Sequence, residues 1–320
     1  MEIKDMNKCR ICLHENGLNE LYSIREMMQG TGKTFNYFLC SGCGCLQISE
    51  LPENLNLFYQ NYYTAERKWI KISDLKKYAW NVRSFLSNYK IYSLLERIKY
   101  NSVLDWVRRA GIKKHSKILD IGCGSGDILY EFRKHGFCNI TGIDPNLDLN
   151  SENEGLNLFR KSVFETEGKF DFIMFNHSFE HIWEQHETLE KAKKLLEKSG
   201  VILIRIPIIN CAFYTYKENW VQIDAPRHFY LHSVESINLL CKQHGLRIYH
   251  KYFDSSEFQF IGSEQYKQGI ALNADNSYQK SPEKSIFTKK DIENFKKRAR
   301  KLNKEEKGDQ IVLFIKRIGE

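Results

Sequence analysis

Two pairs of cysteines, Cys9-Arg-Ile-Cys12 and Cys40-Ser-Gly-Cys43, stand 27 residues apart near the start of the chain. Each C-x-x-C knuckle places two thiolates on one edge of a metal ion, and two facing knuckles complete a tetrahedral site. Four cysteines close the coordination sphere. The spacing therefore predicts a structural zinc held by Cys9, Cys12, Cys40 and Cys43, with no open position to activate water. A second chemistry is carried by Gly122, Gly124 and Gly126, a G-x-G-x-G run that lets the backbone turn sharply and a ligand lie against the main chain. Asp127 stands where a dinucleotide-binding loop has its third glycine, which tilts the reading away from NAD. Asp144, twenty residues beyond Gly124, is placed to accept both hydroxyls of a ribose. The third chemistry is acid-base. Histidine titrates nearest neutrality, which makes His177, His181, His228 and His232 the candidates for a general base.

These groups need elements to position them. Ile118-Leu-Asp-Ile121 is too short for a helix and too apolar for a surface loop, so it reads as a buried parallel strand feeding the glycine turn. Asp127 to His135 follows as a crossover helix stopped by Gly136, and Ile140 to Ile143 is a second strand. Further strands are expected at 156–160, 170–176, 201–206, 246–253 and 311–315. The alternation implies a doubly wound α/β sheet of seven strands with its site at their carboxyl ends. Apolar residues at helical spacing from Ser73 to Ala110 predict lead-in helices, and Ser233 caps a helix running to His244. The expected division is a zinc ribbon with a docking segment at 1–64 and a larger domain at 65–320. That domain carries the lead-in helices (65–111) and an insertion (254–309). The segment Trp220 to His232 directly follows a strand end, where substrate groups belong. Within it Asp224 is placed to orient His228, and Arg227 to grip a substrate phosphate or else to pair with Asp224 and fix the loop.

The succession Leu119-Asp-Ile-Gly-Cys-Gly-Ser-Gly126, an acid ending the second strand, and His177-Ser-Phe-Glu-His181 after the fourth resembles the class I S-adenosylmethionine-dependent methyltransferases. The resemblance covers roughly residues 100 to 253 and a final strand. It implies a Rossmann-like methyltransferase fold that binds S-adenosylmethionine through Asp120, Gly122, Gly124, Gly126, Asp144, Val163, Asn176 and His177. His181 would lie at the methionine end. Val163 occupies part of the place of a D-A pair beside the adenine; this chain has Ser162 in place of the aspartate, with Glu165 as a substitute. The cysteine knuckles followed by the aromatic run Phe58-Tyr-Gln-Asn-Tyr-Tyr63, together with Asp224-x-Pro-Arg-His228, resemble bacterial sugar methyltransferases of surface-glycan and natural-product pathways. That implies a sugar or sugar-nucleotide substrate, with His228 as the base.

Composition sets bounds on the alternatives. There are 48 basic against 40 acidic residues, a mixed surface whose +8 balance does not by itself argue for nucleic acid. An RNA methyltransferase gripping phosphates with the ribbon is one competing reading; a catalytically silent interaction module is another. No run approaches the ~18 apolar residues of a membrane span, and the first residues lack the apolar core of a signal peptide, so a cytoplasmic protein is expected.

Overall fold

The structure, a computed structural model, describes residues 8–14, 18–59, 102–153 and 155–319. Its strands in chain order are β1 (Glu20–Arg25), β2 (Thr34–Leu39), β3 (Leu46–Ile48), β4 (Ile118–Ile121), β5 (Ile140–Ile143), β6 (Ser151–Asn153), β7 (Leu156–Phe159), β8 (Phe170–Asn176), β9 (Leu196–Pro207), β10 (Tyr230–Leu231), β11 (Leu246–Phe253) and β12 (Gln310–Arg317). Its helices are α1 (Ser102–Ala110), α2 (Asp127–Lys134), α3 (Gln185–Leu195), α4 (Cys211–Tyr216), α5 (Val234–Gln243), α6 (Phe258–Lys267) and α7 (Lys289–Lys304).

The chain forms two compact units. One comprises Met1–Tyr62, Phe179–His186 and Arg205–Ile318; the other comprises Tyr63–Ser178, Glu187–Ile204 and Gly319–Glu320. The first boundary, between residues 62 and 63, falls close to the expected one at 64, but the first unit takes in 179–186 and 205–318 as well as the cysteine module. The reason lies in the pairing of β3 with β10, where Gln47 faces Tyr230 and Leu46 faces Leu231. The module's sheet, in the order β1-β2-β3-β10, thus takes its last strand from a segment nearly two hundred residues away in sequence. A small metal-binding segment cannot bury enough apolar surface alone. Here Tyr37, Phe38, Leu46 and Ile48 are buried together with Tyr230 and Leu231.

In the second unit β4 lies between β5 and β8, parallel to both, with Asp120 paired with Gly142 on one side and Met174 on the other. All four residues of β4 are buried, as a central parallel strand requires. β7 continues the parallel set beside β5. Beyond it β6 turns back antiparallel through Gly155, whose φ of +80° permits the tight return. Among the described residues the sheet order is β11-β12-β9-β8-β4-β5-β7-β6, eight strands rather than seven. The extra strand, Ser-Glu-Asn, has no apolar alternation, so hydrophobic pattern gave no signal for it.

In the first unit β11 and β12 pair antiparallel, with a bulge between Ile248 and His250. Helix α5 begins as expected at Ser233, whose side chain accepts the Ser236 amide in a capping box. The stretch read as an insertion contains α6 and α7, joined by the stacked rings of Phe260 and Phe295, 5.4 Å between centroids, with the Arg298 guanidinium over Phe260. Of the lead-in helices, only α1 falls among the described residues; the tyrosine run beyond Tyr59 lies outside them. No described helix is long and apolar enough to cross a membrane.

Candidate functional site

In the second unit the turn after β4 places Gly122, Gly124 and Gly126 at φ of +76°, +51° and +76°. L side chains rarely adopt such angles, and a Cβ on Gly122 would meet the Ser178 Cβ at 2.4 Å. Ser178 is fixed there by donating its hydroxyl to the Ile121 carbonyl. The Gly124 amide donates to Asp144 Oδ2 at 3.0 Å and the Asn146 amide to Oδ1 at 2.8 Å. Asp144 therefore closes the turn from the end of β5, its carboxyl pushed up by burial and drawn back by those two amides. Asp120 is buried in β4, and its Oδ1 has no hydrogen-bond partner among the described residues. Burial, and secondarily the charge of Asp144, pushes Asp120 well up. An orphaned buried acceptor beside a glycine turn open to close approach fits a bound nucleoside with donor groups.

Other residues expected at the cofactor fall in the same unit. Val163 is buried after β7, Asn176 ends β8, and His177 follows it at φ +54°. Glu165 does not stand in for the missing aspartate. Its Oε2 accepts the backbone amide and the hydroxyl of Ser162, both at 2.8 Å, so the carboxylate closes its own turn.

In the first unit His181 and His228 lie with rings 4.6 Å apart, edge to face. His181 Nδ1 is 2.9 Å from the Arg227 carbonyl and His228 Nδ1 is 2.7 Å from the Gln222 carbonyl. A carbonyl only accepts, so in each ring Nδ1 carries a proton, and a neutral ring then holds its lone pair at Nε2. The His228 Nε2 lies 3.7 Å from Asp224 Oδ2 and 4.0 Å from Glu180 Oε1. His181 is kept neutral: burial, then the neighbouring His228, lowers its pKa to about 4. Tyr59 adds its hydroxyl 3.2 Å from His181 Nδ1. Donor atoms of Glu180, His181 and His228 all lie within 4.8 Å of one another, a spacing that a proton or a cation can share.

The remaining residues of the loop hold it in place. Arg227 is fully buried; its Nε and Nη2 donate to the two oxygens of Asp224 and its Nη1 to the Phe58 carbonyl. A guanidinium so engaged fixes the loop, and a substrate phosphate would have to displace Asp224. Burial pushes the Asp224 carboxyl up, but Arg227 and the two histidines hold it below the usual range. Asp224 is not the group that orients His228, because at 3.7 Å it is beyond hydrogen-bond distance and the Gln222 carbonyl does that work. His232, the other loop candidate, is buried between Gln185 Oε1 and Ser236 Oγ, each 2.9 Å away, and burial lowers its pKa to about 3. It anchors the loop. Glu180, Tyr37 and Tyr59 were not assigned roles from the sequence; Glu180 had a signal inside the H-x-x-E-H segment and Tyr59 in the aromatic run from Phe58, while Tyr37 had none.

The four cysteine Sγ atoms of the knuckles also lie within 4.8 Å of one another, with Cys9 to Cys43 and Cys12 to Cys40 both 3.6 Å. A tetrahedron built on Zn–S bonds of about 2.3 Å has edges of roughly 3.8 Å. Thiolates attract donors. The Gln47 amide donates to Cys9 Sγ at 2.9 Å, and the Gly42 amide to Cys40 Sγ at 3.3 Å. Cys45 is buried and outside the cluster. The donor set fits a closed, four-thiolate metal site.

Residues 95–251 match the family model described as a methyltransferase domain, so this stretch of the chain is a methyltransferase domain. The chain is 36% identical over 104 residues to EEF1A lysine methyltransferase 2 of Danio rerio, covering 29% of this chain and 45% of that protein. It is 24% identical over 224 residues to (S)-coclaurine N-methyltransferase of Papaver somniferum, covering 65% of this chain and 58% of that one. The chain thus spans about half the length of these relatives. Among solved structures, the cyclopropane synthase MmaA2 of Mycobacterium tuberculosis is 13% identical, with a TM-score of 0.43 over 67% of this chain and 82% of that chain.

Proposed function

We propose that the protein transfers a methyl group from S-adenosylmethionine to a small sugar, nucleotide- or lipid-linked, in surface-glycan or natural-product biosynthesis. The donor, when bound, supplies an electrophilic methyl on a sulfonium. Asp120, the glycine turn, Asp144, Val163, Asn176 and His177 would hold it, Asp144 by accepting the ribose hydroxyls and Asp120 by filling its orphaned acceptor. Methyl transfer is an in-line displacement, so the acceptor must be aligned and must lose its proton. His228 takes that proton at Nε2. Its other nitrogen is committed to the Gln222 carbonyl, and Asp224 and Glu180 favour the imidazolium that results. At an effective dielectric of ~20, one carboxylate at that range contributes roughly 4 kcal/mol, reduced by the opposing charge of Arg227. The paired lone-pair nitrogens beside buried carboxylates are the observation that carries this assignment.

We assign a structural zinc ion to Cys9, Cys12, Cys40 and Cys43; the thiolate spacing and the amides aimed at sulfur support it. Metal analysis should give one equivalent. A second equivalent would place a cation at Glu180, His181 and His228 and remove the base from His228.

The sugar rests on the resemblance of the cysteine module and the Asp224 to His228 loop to sugar methyltransferases. An amine acceptor is the second reading, favoured by two relatives whose names specify lysine and N-methylation. One assay separates them. Deuteromethyl-labelled donor is offered with nucleotide sugars, lysine-containing peptides and small secondary amines, and the products are read by mass and fragmentation. A labelled sugar supports the proposal, and label confined to peptide or amine replaces it.

A further inference from the structure

The cysteine module is bonded to the loop that carries His228 along the whole of the loop's last turn. Tyr37 of β2, fully buried, donates its hydroxyl to the His228 carbonyl at 2.9 Å. The Ile48 amide donates to the Phe229 carbonyl at 3.0 Å. Tyr230 and Leu231 pair with Gln47 and Leu46. Ser233, the N-cap of α5, donates its hydroxyl at 2.6 Å to the carbonyl of Cys43, one of the four thiolate residues.

These contacts lead directly to the metal site. Gln47 is buried between the two: its amide nitrogen donates to Cys9 Sγ, its carbonyl accepts the Arg10 amide at 3.1 Å, and its backbone faces Tyr230. Arg10, inside the first knuckle, donates to the Tyr230 hydroxyl at 2.9 Å and to the Ile48 carbonyl. Its guanidinium lies 4.2 Å over the Trp183 ring and 5.0 Å over Tyr230. Moving either knuckle would therefore move the strand that holds residues 228 to 231.

We infer that the four-cysteine module positions His228, so that its metal governs the acceptor half of the reaction and not the binding of the methyl donor, with Tyr37 as the positioning residue nearest the base. The inference rests on the reading of His228 as the base. It sets this metal apart from one that only keeps a separate small domain folded. A base needs its nitrogen held within a fraction of an ångström of the productive position, and a loop freed on one side loses that hold without unfolding its neighbour.

The test uses the full chain, with metal removed by a thiol-competing chelator and then restored as zinc. Removal should raise hydrogen exchange at the Ile48 amide, which donates to the Phe229 carbonyl, at least tenfold and leave residues 118 to 126 unchanged. Turnover should fall at least a hundredfold while the dissociation constant for S-adenosylmethionine, by calorimetry, changes less than twofold. Zinc should restore both. Tyr37→Phe, a milder change, should lower kcat about tenfold with the donor KM unchanged and the melting temperature nearly so. Full turnover without metal, equal loss of protection at 118 to 126, or a Tyr37→Phe enzyme altered only in stability would each overturn the inference. His228→Ala tells its failure from that of the base. If that variant keeps its turnover, the base reading fails; if it is inactive while metal removal changes neither exchange nor turnover, the base stands and the positioning role is wrong.

Discussion

The glycine turn and the histidine loop both fix polar atoms in place, but with material of different origin. The turn is made by eleven consecutive residues, Lys117 to Asp127, with three glycines among them, and is closed by one carboxylate, Asp144, at the next strand end. The loop is held by Phe58, Tyr37, Gln47 and Arg10 from the start of the chain, by Glu180 and Gln185 from its middle, and by its own Gln222 and Asp224. A site encoded locally is sensitive to single backbone positions. One assembled from distant segments is sensitive to whatever holds those segments together.

Breaking the turn should give the largest effect. Gly124→Val puts a β-branched residue at φ +51° and should abolish donor binding to the limit of calorimetric detection, with metal content unchanged. Detectable affinity within tenfold of wild type would remove the turn from the cofactor site. On the loop side, His228→Ala should lower turnover by ~10²–10⁴, the share of a general base, and keep donor affinity. Loss of both together would mean that the ring is packing rather than chemistry.

Acid should act on the unit that carries the histidine loop, through groups of both signs. His232 and His181 have pKa values lowered by burial to about 3 and about 4, so the folded state binds fewer protons than the unfolded chain below the ordinary histidine value of 6.5. Their contribution to stability is present above pH ~6.5 and is lost as pH falls through that window, His232 alone accounting for roughly 4 kcal/mol by its folded pKa. Asp309 acts with the opposite sign. Burial raises it to about 6 despite its bond from the Trp220 ring, so its contribution is present in acid and fades as pH rises to that value. Urea titrations from pH 7 to 4 should show the histidine side losing stability on acidification, and His232→Gln should flatten the slope. A slope untouched by that change would show that the ring titrates as it does in water.

How much of this was legible in the sequence follows the same division. The strand, turn and helix from Ile118 to Lys134 and the acid at Asp144 were readable because glycine, β-branched residues and a strand-end carboxylate signal within a short window. The two cysteine knuckles were readable from spacing alone. The partners of the histidines were not. That Gln222 rather than Asp224 holds the His228 ring was hidden because the acceptor is a backbone carbonyl, which residue type does not announce, and the bond from Tyr37 across 191 residues is set by tertiary packing. Arg227 looked like a phosphate ligand by type, and its burial against Asp224 and Phe58 is a property of the fold. That the first unit also draws on residues far along the chain was not readable for the same reason, since a two-residue strand at Tyr230–Leu231 carries no periodicity.

Asp144→Ala is a smaller change and sharpens the comparison. Removing a carboxylate from ribose hydroxyls should weaken donor binding by about 1.5 to 3 kcal/mol. The measurement that bears most directly on the account is the calorimetric titration of S-adenosylmethionine into the wild type, Asp144→Ala, Gly124→Val and His228→Ala proteins under one buffer. The account predicts one-to-one binding to the wild type, the same affinity in His228→Ala, a loss of that size in Asp144→Ala and no detectable heat in Gly124→Val. Absence of binding to the wild type, or a loss in His228→Ala as large as that in Asp144→Ala, would contradict it.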